Sequence, residues 1–236
     1  MTLPLQARIR PLLKANAFLG QLPDDVLDAI MQRGQAKTFT KGELAFRRGD
    51  PGDRIMLLVS GGIKLAIISA KAREVVLHFV SAGEIFGEVG ALDGRPRTAS
   101  AIALEDSEVF IIHSRDLLPA LMAYPQAMLE MARMLCAWAR IRISLFEGLT
   151  LDMRTRMARG LLRLAEQLGR RRKDGIWLDL AATQEELGNY LGLARANVSR
   201  QLSELKALGI IRSDEGRIVI ADERRLTELA EAASFE

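Results

Sequence analysis

The stretch GEIFGEVGALDGRPRTASA, residues 83–101, sets Glu88 directly after Gly87 and brings in Arg97-Thr98 a short way downstream. A carboxylate offers only acceptors, whereas an arginine fork beside a hydroxyl offers donors. Glu88 facing Arg97 and Thr98 therefore suits a ligand with hydroxyls at one end and an oxyanion at the other. A ribose carrying a phosphate is such a ligand. Gly87 lets bare backbone approach the sugar, and a short turn from Val89 to Leu92 would aim its N-terminal amides at the same anion. Gly83, Gly87, Gly90, Gly94 and Pro96 exclude a long regular element here, so the backbone must bend closely around something. The competing reading is a surface Glu–Arg ion pair bracketing a glycine-rich loop, a kind of pair that adds little to stability. Spacing alone does not separate the two.

The elements that must position these side chains follow from the hydrophobic period. From about Phe39 to Ile112, short apolar runs such as IMLLVSGGIKLAII and EVVLHFV alternate with turn clusters (Gly49-Asp50-Pro51-Gly52-Asp53 and Gly61-Gly62). This predicts consecutive antiparallel strands of a barrel or roll. From Pro125 to about Leu149 the chain holds no further Gly or Pro until Gly148, and apolar residues recur at helical spacing, which predicts one long helix. One heptad register reads Met128, Met131, Leu135, Trp138, Arg142, Leu145, Leu149; a neighbouring one reads Ala127, Met131, Met134, Trp138, Ile141, Leu145. The apolar stripe is thus broad, with Arg142 in the seam or at its edge, and a helix of this kind calls for a partner. After Asp152 the pattern reads helix, then GIWLDL as a strand, two short helices, and the hairpin GIIRSDEGRIVIAD turning through Asp214-Glu215-Gly216.

The third region also contains TQEELGNYLGLARANVSRQLSELKALGII. A first helix carries Glu186-Leu187, the chain turns at Gly192, and a second helix resumes at about Arg195 with Val198, Leu202 and Leu205 on one face. With the hairpin behind it, this reads as a winged helix-turn-helix. Arg195, Asn197 and Arg200 stay off the apolar stripe near the N-terminal half of the second helix, the part that enters a major groove, and Arg suits guanine O6 and N7. The run Arg170-Arg171-Arg172-Lys173 reads as a solvated turn, with phosphate contact as the less favoured alternative.

Composition narrows the field. The 236 residues suffice for one large domain or two modest ones, 49% of them are hydrophobic, and the net charge of +3 is too small to single out nucleic acid unless the basic residues cluster. The single cysteine, Cys136, cannot form an internal disulfide, a four-thiolate cluster or a cysteine zinc site, which suits a reducing compartment. No stretch reaches the ~18 uncharged apolar residues that crossing a bilayer requires, and the N-terminus lacks a signal-peptide pattern. A cytoplasmic location is expected. Only His78 and His113 are present, both within strand-like apolar runs, where they read as satisfied strand histidines. No nucleophile or acid/base constellation of an enzyme emerges, and no metal or prosthetic group is expected.

FGEVGALDGRPRTASA closely resembles the phosphate-binding cassette of cyclic-nucleotide-binding domains. Together with TQEELGNYLGLARANVSRQL downstream, it makes the chain similar to bacterial regulators of the cyclic AMP receptor / fumarate-nitrate regulator (Crp/Fnr) family over about residues 18–220. The resemblance implies an α+β chain in three parts. Residues 1–124 would form an antiparallel β-roll that binds cAMP or cGMP as effector, 125–150 a dimerisation helix, and 151–236 a winged helix that binds a palindromic DNA operator and acts on RNA polymerase. Carried over, Gly87 and Glu88 would hold the ribose 2′-hydroxyl, Arg97 would pair with the cyclic phosphate, and Thr98 would add a hydroxyl and an amide. Asp152 matches the acidic hinge, and Arg195 and Arg200 match two operator-reading residues. Two departures matter. Where the cyclic AMP receptor has a glutamate after the first operator-reading arginine, this chain has Ala196, which cannot accept from cytosine N4. Where the receptor presents a Thr-Ser pair to adenine, this chain has Ile141 and Arg142, and an arginine fork matches guanine O6 and N7 rather than adenine. A haem-based gas sensor of the same architecture would leave Glu88 and Arg97 unexplained. The main rival is a DNA-binding regulator whose pocket is vestigial or takes another effector.

Overall fold

The structure is a computed structural model and describes residues 5–148, 150–214 and 217–232. The chain divides into two compact units, one reaching to Ala139 and one starting at Arg140.

The first unit opens with helices α1 (Leu5–Ala15) and α2 (Asp24–Arg33), followed by strands β1 (Gln35–Phe39), β2 (Leu44–Phe46), β3 (Arg54–Ser60), β4 (Ile63–Ile68), β5 (Glu74–Val80) and β6 (Ile85–Phe86). A short helix α3 (Glu88–Asp93), strands β7 (Ser100–Ala103) and β8 (Ser107–His113) and helix α4 (Ser114–Ala123) follow, and the long helix α5 (Pro125–Gly148) begins in the first unit and ends in the second. The strands form two antiparallel four-stranded sheets, ordered β1-β8-β3-β6 and β2-β7-β4-β5. The expected roll is present. It begins earlier than Phe39, ends at His113, and is interrupted by α3 where a mere turn was expected.

The apolar run of β3 is continuous because both of its faces are covered. Met56 and Leu58 point into a core shared by the two sheets, with Phe39, Phe46, Ile63, Val80, Phe86 and Val109. Ile55, Leu57 and Val59 point the other way, into a core built with α1, α2, α4 and the start of α5. The period of two along a strand makes this division. Strand β8 repeats it, sending Val109 and Ile111 inward and Phe110 and Ile112 outward. The two helices before β1 and α4 carry no counterpart in the sequence reading; they bury Ile9, Leu13, Leu27, Ile30, Leu117 and Leu121 against that outer face.

The second unit contains α6 (Met153–Leu168), β9 (Gly169–Arg172), β10 (Gly175–Leu178), α7 (Gln184–Leu191), α8 (Arg195–Ala207), β11 (Ile211–Asp214), β12 (Arg217–Ile220) and α9 (Glu223–Glu231). Its strands form one antiparallel sheet ordered β11-β12-β10-β9. Asp152 caps α6, its carboxylate accepting from the amides of Arg154 (2.8 Å) and Thr155 (3.1 Å). The hairpin of β11 and β12 is present, while its turn at Glu215-Gly216, like Leu149 of the first heptad register, lies outside the described residues. Among the described residues, no helix is long and apolar enough to cross a membrane.

One expectation is overturned. Arg170-Arg171-Arg172 is not a solvated turn but the edge strand β9, paired residue by residue with β10. Each arginine has a partner within the unit. Arg170 meets Asp179 at 2.7 Å, Arg171 clasps both carboxylate oxygens of Glu223 at 2.7 and 2.8 Å, and Arg172 lies 4.2 Å from the centre of the Trp177 ring. A charged run with exposed side chains carries no hydrophobic period, so its strand character comes from these cross-strand partners.

Candidate functional site

The glycine-rich loop closes on itself through Gly87. This residue caps α3 with φ at 80°, a region open to glycine at little cost. A Cβ here would stand 2.6 Å from Arg97 Nη1 and 3.3 Å from Phe46 Cε1, so a side chain at this position would displace the arginine. The next residue, Glu88, starts α3 and is 3% exposed; Arg97 is 4% exposed. Burial of both removes the reading as a surface ion pair.

Arg97 is fixed from several sides. Its Nη1 donates to the Gly87 carbonyl and its Nη2 to the Arg54 carbonyl at 2.7 Å, while the guanidinium lies 4.3 Å from the centre of the Phe46 ring. Its Nε has no hydrogen-bond partner among the described residues. The main chain is held as well, with Arg97 N donating to Asp50 O and Gly49 N donating to Arg97 O, both at 2.9 Å. Burial pushes the guanidinium below its ordinary pKa, and the positive charge of Arg54 adds to this; the carboxylates of Asp53, Glu88 and Asp50 act in the opposite sense. The group stays cationic regardless. Thr98 is exposed beside it. The result is a buried cation and a buried acid in one loop around bare backbone, the combination an anionic, hydroxyl-bearing ligand needs.

Phe46 and the Arg54 carbonyl were not singled out in the sequence. The first can be found only through the strand register, and the second is a backbone atom for which no side-chain signal exists. His78 stands in β5, partly buried, with Nε2 3.3 Å from Glu84 Oε2; His113 ends β8. Ile141 and Arg142 lie on α5 within the second unit, Ile141 partly buried and Arg142 exposed.

In the second unit, Thr183 and Glu186 cap α7 reciprocally, with Thr183 N donating to Glu186 Oε2 at 2.8 Å and Glu186 N to Thr183 Oγ1 at 3.2 Å. Gly192, at φ 66°, ends that helix and frees the chain to start α8. On α8, Val198, Leu202 and Leu205 are buried as expected, and Gln201 joins them. Arg195 and Arg200 remain exposed; Asn197 is partly buried, and its Oδ1 accepts from Arg200 Nη2 at 3.5 Å. Ala196 is exposed between them. The helix offers two exposed guanidinium groups, Arg195 and Arg200, the donor set that base edges in a major groove accept.

Residues 36–124 match the family model of the cyclic nucleotide-binding domain, and residues 155–229 match that of the Crp-like helix-turn-helix domain. The cyclic AMP receptor protein of Thermus thermophilus is 30% identical to the chain over 219 residues, covering 90% of this chain and 95% of its own. The CRP-like cAMP-activated global transcriptional regulator of Mycobacterium tuberculosis is 28% identical over 221 residues, covering 93% of this chain and 98% of its own. Among solved structures, FixK2 from Bradyrhizobium japonicum matches with a TM-score of 0.74 at 24% identity, over 83% of this chain and 96% of that one. At that identity the last match speaks for the fold alone.

Proposed function

Since the chain belongs to the Crp/Fnr family of transcription regulators, with a cyclic nucleotide-binding domain and a Crp-like helix-turn-helix, we propose that it is a homodimer whose affinity for a palindromic operator is set by cAMP or cGMP, bound one per subunit. The observation that carries this reading is the burial of Glu88 and Arg97 together around Gly87. Burying ionic groups costs desolvation, and a ligand phosphate and ribose would add charge-assisted partners to those the fold already supplies. Gly87 and Glu88 are assigned to the ribose 2′-hydroxyl, Arg97 and Thr98 to the phosphate, and Ile141 and Arg142 to the base.

Arg195, Asn197 and Arg200 are assigned to the operator. The exposed apolar residues Met128, Leu129, Ile143 and Phe146 of α5 support a partner helix from a second copy. In this assignment residues 1–124 are the effector domain, 125–150 the dimerisation helix and 151–236 the DNA-binding domain. The DNA-bound dimer acts on RNA polymerase, and the chain has no catalytic role.

One observation favours a second reading, a DNA-binding regulator whose pocket is vestigial or takes a different effector. Two donors of Arg97 are directed at the carbonyls of Gly87 and Arg54. A guanidinium satisfied by backbone needs no anion to hold it. Titration of the full-length protein with cAMP and cGMP, followed by operator binding at each saturation level, separates the two. Saturable binding that raises DNA affinity supports the effector reading, since two coupled sites must influence one another reciprocally. DNA affinity that is high and unaffected by either nucleotide supports the second.

A further inference from the structure

We infer that α9 is a brace for the recognition helix α8, and that Arg225 is the positioning residue through which it acts on operator reading; this inference rests on the assignment of α8 to the operator. The last carbonyls of a helix have no partner within it, and that end carries partial negative charge. On α8 the missing partner comes from Arg225, whose Nη1 donates to the carbonyl of Leu208, the C-terminal cap, at 2.9 Å. The backbone of Arg225 is itself fixed, since Asp222 caps α9 by accepting from Arg225 N at 2.9 Å. The approach to α9 is pinned to the residue that follows the recognition helix. Ala221 N and Asp222 N both donate to the Ile210 carbonyl, at 2.9 and 3.1 Å.

A helix such as α9 does not hold itself. Five of its nine residues are charged and only Leu226 and Ala230 are fully buried, while helices this short are marginal in water. Its place comes from clamps at both ends. Arg171 of β9 clasps the Glu223 carboxylate at 2.7 and 2.8 Å, and Arg159 of α6 donates from Nε to the Ala230 carbonyl at 2.8 Å. The opposite end of α8 is fixed by other contacts. Leu193 N donates to Gly188 O at 2.9 Å, and a Cβ on Gly188 would stand 2.6 Å from the Leu193 carbonyl, so α7 packs directly on the turn that starts α8. A tilt of α8 about that anchor moves each residue in proportion to its distance along the axis from the cap at Ala194. At 1.5 Å per residue this is about 1.5 Å for Arg195 and about 9 Å for Arg200. Loss of the Arg225 contact therefore displaces Arg200 and leaves Arg195 nearly in place. A contact that served stability alone would weaken both readers alike.

Quantitative selection from random DNA by full-length Arg225→Ala, well below its melting transition, reads the two positions separately. The base preference that Arg200→Ala abolishes should weaken about fivefold, and the one that Arg195→Ala abolishes by less than about twofold, in keeping with one cation at a helix end. Affinity for non-operator DNA should stay within about twofold, because phosphate contacts carry it. Arg225→Lys, which keeps a cation at the Leu208 carbonyl, should recover most of the loss. Hydrogen exchange in Arg225→Ala should quicken for the amides of residues 205–210 and not for those of 187–193. Thermal melts establish folding, and Arg225→Gln, a neutral donor, takes the place of the alanine variant if that one does not fold. Equal weakening of both base preferences, or retention of both, overturns the brace while leaving the operator assignment intact. If the unmodified chain selects no DNA sequence, the operator assignment and this inference both fall.

Discussion

The guanidinium carbon of Arg97 lies over the Phe46 ring, 4.3 Å from its centre, the arginine following α3 and the phenylalanine ending β2. The ring covers one side of the cation while the carbonyls of Gly87 and Arg54 accept from its Nη1 and Nη2. Replacing Arg97 by Ala should remove most cyclic-nucleotide affinity, because a desolvated charge-assisted phosphate contact is worth ~1.5–3 kcal/mol. Phe46→Leu should cost less, about 0.5–2 kcal/mol of affinity for the lost cation–π contact, with a separate cost in core packing against Phe86 that thermal melts read. Calorimetric titration of the two variants measures both. Unaltered affinity in Arg97→Ala removes the phosphate assignment.

Gly87→Ala tests the loop closure. The added Cβ meets Arg97 Nη1 at 2.6 Å in a backbone region unfavourable to L-residues. The expected outcome is a fall in stability of ~1 kcal/mol or more together with weakened nucleotide binding. A variant that melts and binds like the parent shows that the arginine does not depend on this close approach.

The recognition helix makes a prediction about sequence. Arg195→Ala and Arg200→Ala should each cost ~1–3 kcal/mol of operator affinity and relax preference at one base pair per half-site. Ala196, lacking an acceptor, should exert no preference for cytosine through its side chain. Selection from random DNA should recover an inverted repeat with half-site centres about 34 Å apart. Recovery of direct repeats or of asymmetric sites contradicts the dimer geometry.

Arg142 separates two roles. Should its guanidinium face the base, cGMP binds at an affinity comparable to cAMP, and Arg142→Ala shifts the ratio toward cAMP, since guanine O6 and N7 match the fork and the adenine amino group does not. Competition binding with both nucleotides reads the ratio. Equal loss of both assigns Arg142 to contacts with the partner helix, and a hundredfold preference of the parent for cAMP, ~2.7 kcal/mol, excludes the guanine contact.

Asp152 links the second unit to pH. Its carboxyl ionises below the ordinary range because the Thr155 side chain donates to it, aided by the amides of Thr155 and Arg154. A carboxyl with a depressed folded pKa stabilises the fold at pH values above about 3.9, its value in an unfolded chain, and loses that contribution as the pH falls through the folded value. Asp152→Ala should therefore destabilise by ~1 kcal/mol near neutrality, the usual worth of a helix N-cap, and the difference from the parent should vanish in acid. Denaturant melts across this range check it; a difference independent of pH assigns the effect to helix propensity instead.

What could be read from the chain depended on how local the signal was. Gly87, Gly90, Gly94 and Pro96 punctuate the loop within a few residues, and the periods of α5 and α8 are carried by their own side chains, so these features were visible directly. The edge strand β9 was not, because its exposed arginines become a strand only through partners on β10 and α9. Helices α1 and α9 escaped for a related reason: α1 carries Pro11 and α9 is mostly charged, and their few buried residues make sense only against neighbouring elements. At the site, Glu88 and Arg97 were legible as chemistry. Phe46 was not legible as a member of it, because its place beneath Arg97 exists only once the strands of the roll are in register.

The inward-tied arginines of β9 also change what binding curves report as ionic strength is varied. Arg170 and Arg171 already hold their counter-charges in Asp179 and Glu223. Cations condensed on a duplex are released only when protein cations replace them, and the steepness of log K against log salt counts those replacements. The most basic run in the sequence should therefore leave almost no mark on that slope. Its value should instead be set by exposed cations such as Arg195, Arg200 and Lys206 of α8, so this regulator should tolerate salt better than its string of consecutive arginines would lead one to expect.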